Sequence, residues 1–150
     1  MKAVGIATVI AASGPGGYGL MARQQAEASV AAGLRLEAYT YLEFESDPEW
    51  WVREALARLN GLPVAHWLLD VEDTEHGRSW TPEQRIAYVQ GALDAFAAAG
   101  VFAHIYSGGW YWRPSMANTM PSPASAGSSG TPGTTATRIS TACRTALDRG

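Results

Sequence analysis

Two acidic side chains, Asp70 and Glu72, have the spacing of a carboxylate pair that could act on a glycosidic bond. Residues two apart on a β-strand point to the same face, roughly 6 to 7 Å apart along the strand. Two anions held that close repel each other, which tends to raise one pKa. A glycosidase needs this combination of a protonated carboxylic acid beside an ionised carboxylate. The alternative interpretation is a solvated loop in which Asp70 bonds to nearby backbone.

Further acids and aromatic rings follow the neighbouring predicted strands. Tyr41 and Glu43 come directly after one strand, and Tyr106 and Trp110 come at or after another. Aromatic faces stack on the apolar faces of sugar rings and offer a large contact area. We therefore predict that these four residues line a substrate-binding cleft. Core packing is the alternative interpretation for each of the rings.

The sequence does not predict a metal or cofactor site. His66 and Asp70 would lie about 13 Å apart on an extended strand, too far to share a metal ion. The single cysteine, Cys143, excludes an intramolecular disulfide and any cysteine-based zinc or iron–sulfur cluster. The glycine-rich segment 14–17 lacks the Lys-Ser/Thr of a phosphate-binding loop, so we interpret it as a turn.

The elements that would position these residues alternate between strands and helices, which predicts an α/β fold with a parallel sheet. Asp47-Pro48 and the capping box Thr81-Pro82-Glu83-Gln84 mark two helix starts. Four such strands make about half of an eight-stranded barrel, which typically takes ~250 residues, and a small open sheet is the alternative. In either case the chemistry belongs at the carboxyl ends of the strands. The predicted strands are 4–10, 34–41, 65–71 and 101–106, and the predicted helices are 20–32, 48–59 and 82–99.

Composition indicates one packed domain followed by a different kind of segment. The chain has 150 residues, of which 47% are hydrophobic and 17% charged, and its net charge of −3 argues against nucleic-acid binding by bulk electrostatics. Segment 1–112 contains every aromatic residue, whereas segment 113–150 consists mostly of Ser, Thr, Ala, Gly and Pro and carries a net positive charge. We expect 1–112 to pack and 113–150 to be a disordered tail.

The amino-terminal segment 3–12 has two interpretations. A positive charge followed by an apolar stretch is compatible with a short secretory signal. The β-branched run 4–10 is also compatible with a buried strand. The periodicity of the following residues favours the strand, and no apolar run is long enough to span a membrane.

These segments together resemble the family 25 glycoside hydrolases, the lysozymes of bacteria and their phages. The motif is a strand ending in Leu69-Asp70-Val71-Glu72. Supporting matches, spread over residues 2–112, are Lys2-Ala3-Val4-Gly5-Ile6, Ala31-Ala32-Gly33-Leu34, Ala38-Tyr39-Thr40-Tyr41 and Ile105-Tyr106-Ser107.

The resemblance implies a (β/α)8 TIM-type barrel that hydrolyses the bond between N-acetylmuramic acid and N-acetylglucosamine in peptidoglycan. On this chain it implies that Glu72 is the general acid, that Asp70 is its electrostatic partner, and that Tyr41 and Tyr106 line the cleft. It implies no metal or cofactor. It also implies an extracellular, cell-wall or phage-delivered protein, although the sequence shows no convincing signal peptide.

The chain departs from the family pattern at both ends. The family's first strand carries another catalytic Asp, followed by a Ser and an aromatic residue, whereas this chain starts at what resembles the second strand. The closing strands have no counterpart after Trp112. We therefore expect a partial domain, and the change in composition suggests a truncated or frameshifted gene. An inactive barrel fragment, at most a carbohydrate-binding module, is the alternative to an enzyme, and its open sheet edges would favour self-association.

Overall fold

The computed structural model describes residues 5–16 and 19–122, which form one parallel sheet and its connecting helices. The sheet order follows the chain order, and the strands are β1 (Thr8–Ala12), β2 (Arg35–Tyr41), β3 (Val64–Asp70) and β4 (Ala103–Tyr106). The helices are α1 (Ala22–Ala31), α2 (Pro48–Arg58), α3 (Pro82–Ala98) and α4 (Gly109–Ser115), with a 3-10 turn (His76–Ser79) between β3 and α3. The α/β class is confirmed, and the open four-stranded sheet is consistent with a partial barrel.

Two of the helices begin at the residues that the sequence predicts. The Asp47 side chain accepts a hydrogen bond from the Glu49 N–H at 3.1 Å, and Pro48 is the first residue of α2. At the start of α3, Thr81 and Gln84 each accept from the other's backbone N–H, which completes the predicted capping box. None of the helices in the described segments is long and apolar enough to cross a bilayer.

The first strand begins later than predicted. It occupies Thr8–Ala12 rather than 4–10, and its pairing with β2 starts at Thr8 opposite Arg35. Gly5 has a φ of +83°, a left-handed conformation that does not continue a strand. The pairing partner and the glycine together therefore set where the strand starts.

The aromatic segment after β4 forms a helix that the sequence analysis does not predict. Helix α4 runs from Gly109 through Trp112 to Ser115, and Met116 after it is fully buried. Because the helix crosses the boundary expected at residue 112, the packed region extends beyond that position. The greater part of the expected tail, 123–150, lies outside the described residues.

One face of the sheet is covered by helices and forms the core. Alternate residues of β2 and β3 point into it, among them Leu36, Thr40, Trp67 and Leu69, none more than 6% exposed. Helices α2 and α3 supply the opposing layer through Val52, Ala55, Val89, Ala92 and Phe96. The intervening strand residues point to the other face, which carries no helix in the described residues.

Candidate active site

Three predicted site residues lie in one row across the open face, at the carboxyl ends of their strands. Tyr41 on β2 is in register with Asp70 on β3, and Asp70 is in register with Tyr106 on β4. Residues in register on neighbouring strands, about 4.8 Å apart, point to the same face. The structure thus brings together three side chains that are far apart in the sequence.

Asp70 is half-buried and lacks a partner for one of its carboxyl oxygens. No hydrogen bond reaches its Oδ1 from the described part of the chain. Burial, and then the charge of Glu72, raise the pKa of Asp70 to about 7. At neutral pH a large fraction of Asp70 is therefore a neutral carboxylic acid, a group that can give up a proton.

Glu72 lies just beyond the end of β3 and on the same side as Asp70. The strand pattern continues through Val71, which is fully buried and whose N–H donates to the Tyr106 carbonyl at 2.9 Å. Glu72 therefore returns to the open face and remains partly exposed. The charge of Glu72 contributes to the raised pKa values of Asp70 and Tyr41, so the two acids are close together, and their action as a catalytic pair stays a prediction. The higher pKa belongs to Asp70, whereas the resemblance gives the acid role to Glu72.

Tyr41 connects this row to the loop that follows β3. Its hydroxyl donates to the Asp73 carbonyl at 2.8 Å. Burial, followed by the charges of Glu43, Asp70, Glu72 and Asp73, raises the pKa of Tyr41 to about 12. Tyr41 is thus a neutral phenol that holds the loop against β2 and keeps the acid pair in position.

Glu43 lies on the same rim, and its backbone is held by Thr74 and Gly77, two residues that no sequence motif identifies. The Glu43 carbonyl accepts from the Thr74 hydroxyl at 3.1 Å, and that hydroxyl accepts from the Gly77 N–H at 3.0 Å. The next residue, Phe44, is 1% exposed and has a φ of +57°. Because a non-glycine residue adopts this conformation at a cost, its tight packing holds the turn in place.

Two other acids of the rim contact basic side chains. Asp73 pairs with Arg78 at 3.1 Å, and Glu45 lies 3.0 Å from the His76 ring. Within residues 5–16 and 19–122, Asp70, Glu72 and Glu43 have no such ion pair. These three acids of the rim remain available for a ligand.

The predicted aromatic residues differ in their exposure. Tyr106 is 57% exposed and Trp110 is 68% exposed, so each offers a ring surface to solvent. Tyr111 and Trp112 on the same helix are buried and belong to the core. The Trp110 ring meets that of Tyr111 at 5.9 Å, and Trp110 lies on α4 rather than in the row of strand ends.

Arg85 on α3 positions the rim, and nothing in its sequence context identifies it. Its guanidinium donates to the carbonyls of Gly77 at 3.0 Å, Arg78 at 3.3 Å and Ser115 at 2.8 Å. One side chain thereby ties the loop after β3 to the end of α4. A contact pattern of this kind depends on the tertiary structure, so no local motif encodes it.

The histidines do not gather around the acid pair. His66 lies further down the open face, 3.3 Å from the Glu37 carboxylate and 3.1 Å from Arg35, and its ring contacts that of His104. No group of three or more His, Cys, Asp or Glu residues in the described segments could hold a metal ion.

Comparison with solved structures finds a similar fold in a phage enzyme. The catalytic domain of endolysin ply40, from bacteriophage P40 of Listeria monocytogenes, superposes with a TM-score of 0.60 at 18% sequence identity. The match covers 75% of this chain and 57% of that domain, so the chain spans little more than half of its length. At this identity the likeness shows the fold alone. No protein-family model matches the chain, and no curated protein matches it either.

Proposed function

We propose that this protein hydrolyses the glycan strands of peptidoglycan, as a muramidase-type glycoside hydrolase. The observation that carries the proposal is the Asp70–Glu72 pair, in which burial and mutual repulsion raise the pKa of Asp70 to about 7. The exposed ring of Tyr106 in the same row, and the similarity of fold to the catalytic domain of a phage endolysin, support it.

In this mechanism the proton that Asp70 holds near neutral pH moves to Glu72 as the reaction begins. Glu72 lies further out along the strand end, and we assign to it the donation of that proton to the glycosidic oxygen. Asp70 is the second member of the pair, and its carboxylate stabilises the positive charge that develops at the anomeric carbon. Water adds its hydroxyl group to that carbon, and its remaining proton returns to the pair.

The other predicted residues have binding roles. Tyr106 and Trp110 offer exposed rings against which a sugar can stack. Glu43 stands at the same rim as a hydrogen-bond acceptor for sugar hydroxyls. Tyr41 holds the loop after β3 through its hydroxyl and lies beside Asp70 in the row of strand ends.

The test is the release of reducing sugar from purified peptidoglycan by wild type and by Glu72→Gln. We expect the variant to lose on the order of 10² to 10⁴ in rate, the typical contribution of a general acid. Glu75→Gln is the matched control, since Glu75 is an exposed carboxylate on the same loop. Equal release by wild type and Glu72→Gln would remove Glu72 from the mechanism.

A second candidate function is binding of glycan strands without hydrolysis. The specific observation in its favour is the exposure of the Tyr106 and Trp110 rings. The same preparation distinguishes the two candidates, because a binding module would sediment with insoluble peptidoglycan and release no reducing sugar.

A further inference from the structure

The two outer strands of the sheet each have one neighbour in the described residues. β1 pairs with β2, and β4 pairs with β3. Proteins usually protect such edges with Lys, Pro or a β-bulge, because unpaired backbone groups invite another strand. Neither Thr8–Ala12 nor Ala103–Tyr106 contains a Lys or Pro, and neither pairing shows a bulge. Both edges are therefore competent to accept a further parallel strand.

Large apolar side chains are exposed along both edges. Ile6 and Ile10 lie on the β1 side and are 40% and 49% exposed. Phe102 and Tyr106 lie on the β4 side and are 55% and 57% exposed. A single exposed apolar residue is ordinary, but apolar residues grouped along two unprotected edges indicate a surface that another chain covers.

We propose that two copies of this chain associate edge to edge, so that each β4 pairs with the other copy's β1 and the two sheets close into an eight-stranded parallel barrel. All four strands run in one direction and in chain order. A two-fold axis along the strands therefore places β4 of each copy beside β1 of the other copy, in parallel orientation. Both outer strands of both copies are then paired. Eight strands form a barrel whose interior is just filled by side chains. The proposal does not depend on the function proposed above, although in the dimer Tyr106 lines the interior and Trp110 alone would offer an exposed ring to sugar.

The register of the sheet makes this closure specific. Within one copy the register runs from Ala11 through Ala38 and Trp67 to Ala103. In a barrel of this type, following paired residues once around all eight strands returns to the first strand about eight residues nearer its amino end. Crossing four strands, from β1 of one copy to β1 of the other, therefore shifts the pairing by about four residues in the same direction. Ala103 is therefore placed beside Ala7 of the second copy.

This stagger matches the four exposed apolar side chains with one another. Phe102 comes next to Ile6 of the second copy, and Tyr106 comes next to Ile10 of the second copy. Both pairs lie on the open face, which becomes the interior. When these four side chains are buried they supply on the order of half of the roughly 800 Å² per partner that a stable interface needs. The two strand edges and the remaining inward-facing side chains supply the rest.

The charges on the open face are compatible with enclosure. Arg35 Nε lies 3.2 Å from the Glu37 carboxylate, and His66 Nδ1 lies 3.3 Å from the same oxygen. Charges that are already paired tolerate burial far better than isolated ones. The acid pair lies at the carboxyl end, so in the dimer the pairs of both copies would face one common, solvent-filled mouth.

Sedimentation velocity of the wild-type chain tests the association directly. We expect a species of twice the 16.0 kDa chain mass that does not grow further as the concentration rises. A monomer throughout a wide concentration range would overturn the proposal. An open-ended series of larger species would overturn it as well, since a closed barrel has no free edge. Neither result depends on whether the protein cleaves peptidoglycan.

Paired cysteines test the register in a Cys143→Ser background. The matched pairs are Ile6→Cys with Phe102→Cys, and Ile10→Cys with Tyr106→Cys. Within one copy, β1 and β4 are three strand spacings apart, roughly 14 Å. A disulfide needs Cα atoms within about 7 Å, so any disulfide between these positions must join two copies. We expect both matched pairs to form covalent dimers on oxidation.

The crossed pairs are the controls, since they use the same four positions. Ile6→Cys with Tyr106→Cys, and Ile10→Cys with Phe102→Cys, are about four residues out of register, roughly 13 Å. We expect little covalent dimer from them. Equal yields from matched and crossed pairs would contradict the proposed barrel even if the chain were dimeric.

Discussion

The two faces of the sheet are built from alternate residues of the same strands, yet they differ in almost every physical property. On the helix-covered face, Leu36 and Leu69 are at most 1% exposed, and the polar Thr40 accepts a hydrogen bond from the Trp51 indole N–H at 3.1 Å. On the open face, one carboxyl oxygen of Asp70 has no hydrogen-bond partner among residues 5–16 and 19–122, and Tyr106 is more than half exposed.

This difference separates the residues that stabilise the fold from those available for chemistry. A period of two places adjacent residues on opposite faces, so one strand can serve both purposes. β3 shows this most clearly, because the buried Leu69 and Val71 alternate with Asp70 and Glu72. The packed face fixes the backbone, and the backbone fixes the separation of the two acids.

Replacing a core residue should give the largest loss of stability. Leu69→Ala removes a fully buried side chain between the sheet and its helices, and we expect it to lower the free energy of unfolding by about 2–5 kcal/mol. Its neighbour Leu68 points to the open face and is partly exposed, so Leu68→Ala is the matched control. Urea denaturation of wild type and both variants at one protein concentration measures the two losses. Equal losses would contradict the division between the two faces.

A smaller effect is expected at the buried hydrogen bond of the packed face. Thr40→Val keeps the shape of the side chain but removes the acceptor of the Trp51 indole N–H. An unsatisfied buried donor costs about 1–3 kcal/mol, and we expect urea denaturation to show a loss of that size. Thr40→Ser retains the hydroxyl and should lose less. A Thr40→Val variant as stable as wild type would show that the bond contributes nothing net.

Much of this architecture could be predicted from the sequence, because local patterns encode it. The caps at Asp47 and Thr81 and the alternation of faces depend on residues close together in the chain. The pairing of Asp70 with Glu72 on one face follows from the same alternation. The positions of Tyr41 and Tyr106 on either side of Asp70 follow from the parallel order of the strands.

The features that could not be predicted depend on contacts between distant segments. Helix α4 contains Gly109 and Pro114, both poor helix residues, and what stabilises it is the burial of Trp112 and Met116. The contacts of Arg85 with three carbonyls have no sequence signature. The late start of β1 depends in the same way on its register with β2.

The smallest expected effect concerns Asp70 and has a sign that depends on pH. The pKa of Asp70 rises from 3.8 to about 7 on folding, so its ionised form is disfavoured in the folded state. The resulting loss in the free energy of unfolding is absent below about pH 4, grows as the pH rises toward 7, and is constant above pH 7. Asp70→Asn removes it, and we expect the variant to be more stable than wild type at alkaline pH by about 1 kcal/mol, since solvent in the open cleft screens part of the effect.

At acid pH the difference between Asp70→Asn and wild type should vanish, because the wild-type group is then neutral as well. Thermal denaturation at the two pH values measures it, and Glu75→Gln controls for the loss of one exposed negative charge. The same titration should appear in catalysis as a fall in the wild-type rate above about pH 7. If the Asp70→Asn variant is no more stable than wild type at alkaline pH, then solvent on the open face fully stabilises the ionised Asp70 carboxylate. The acid pair would then lack the Asp70 proton on which the proposed chemistry depends.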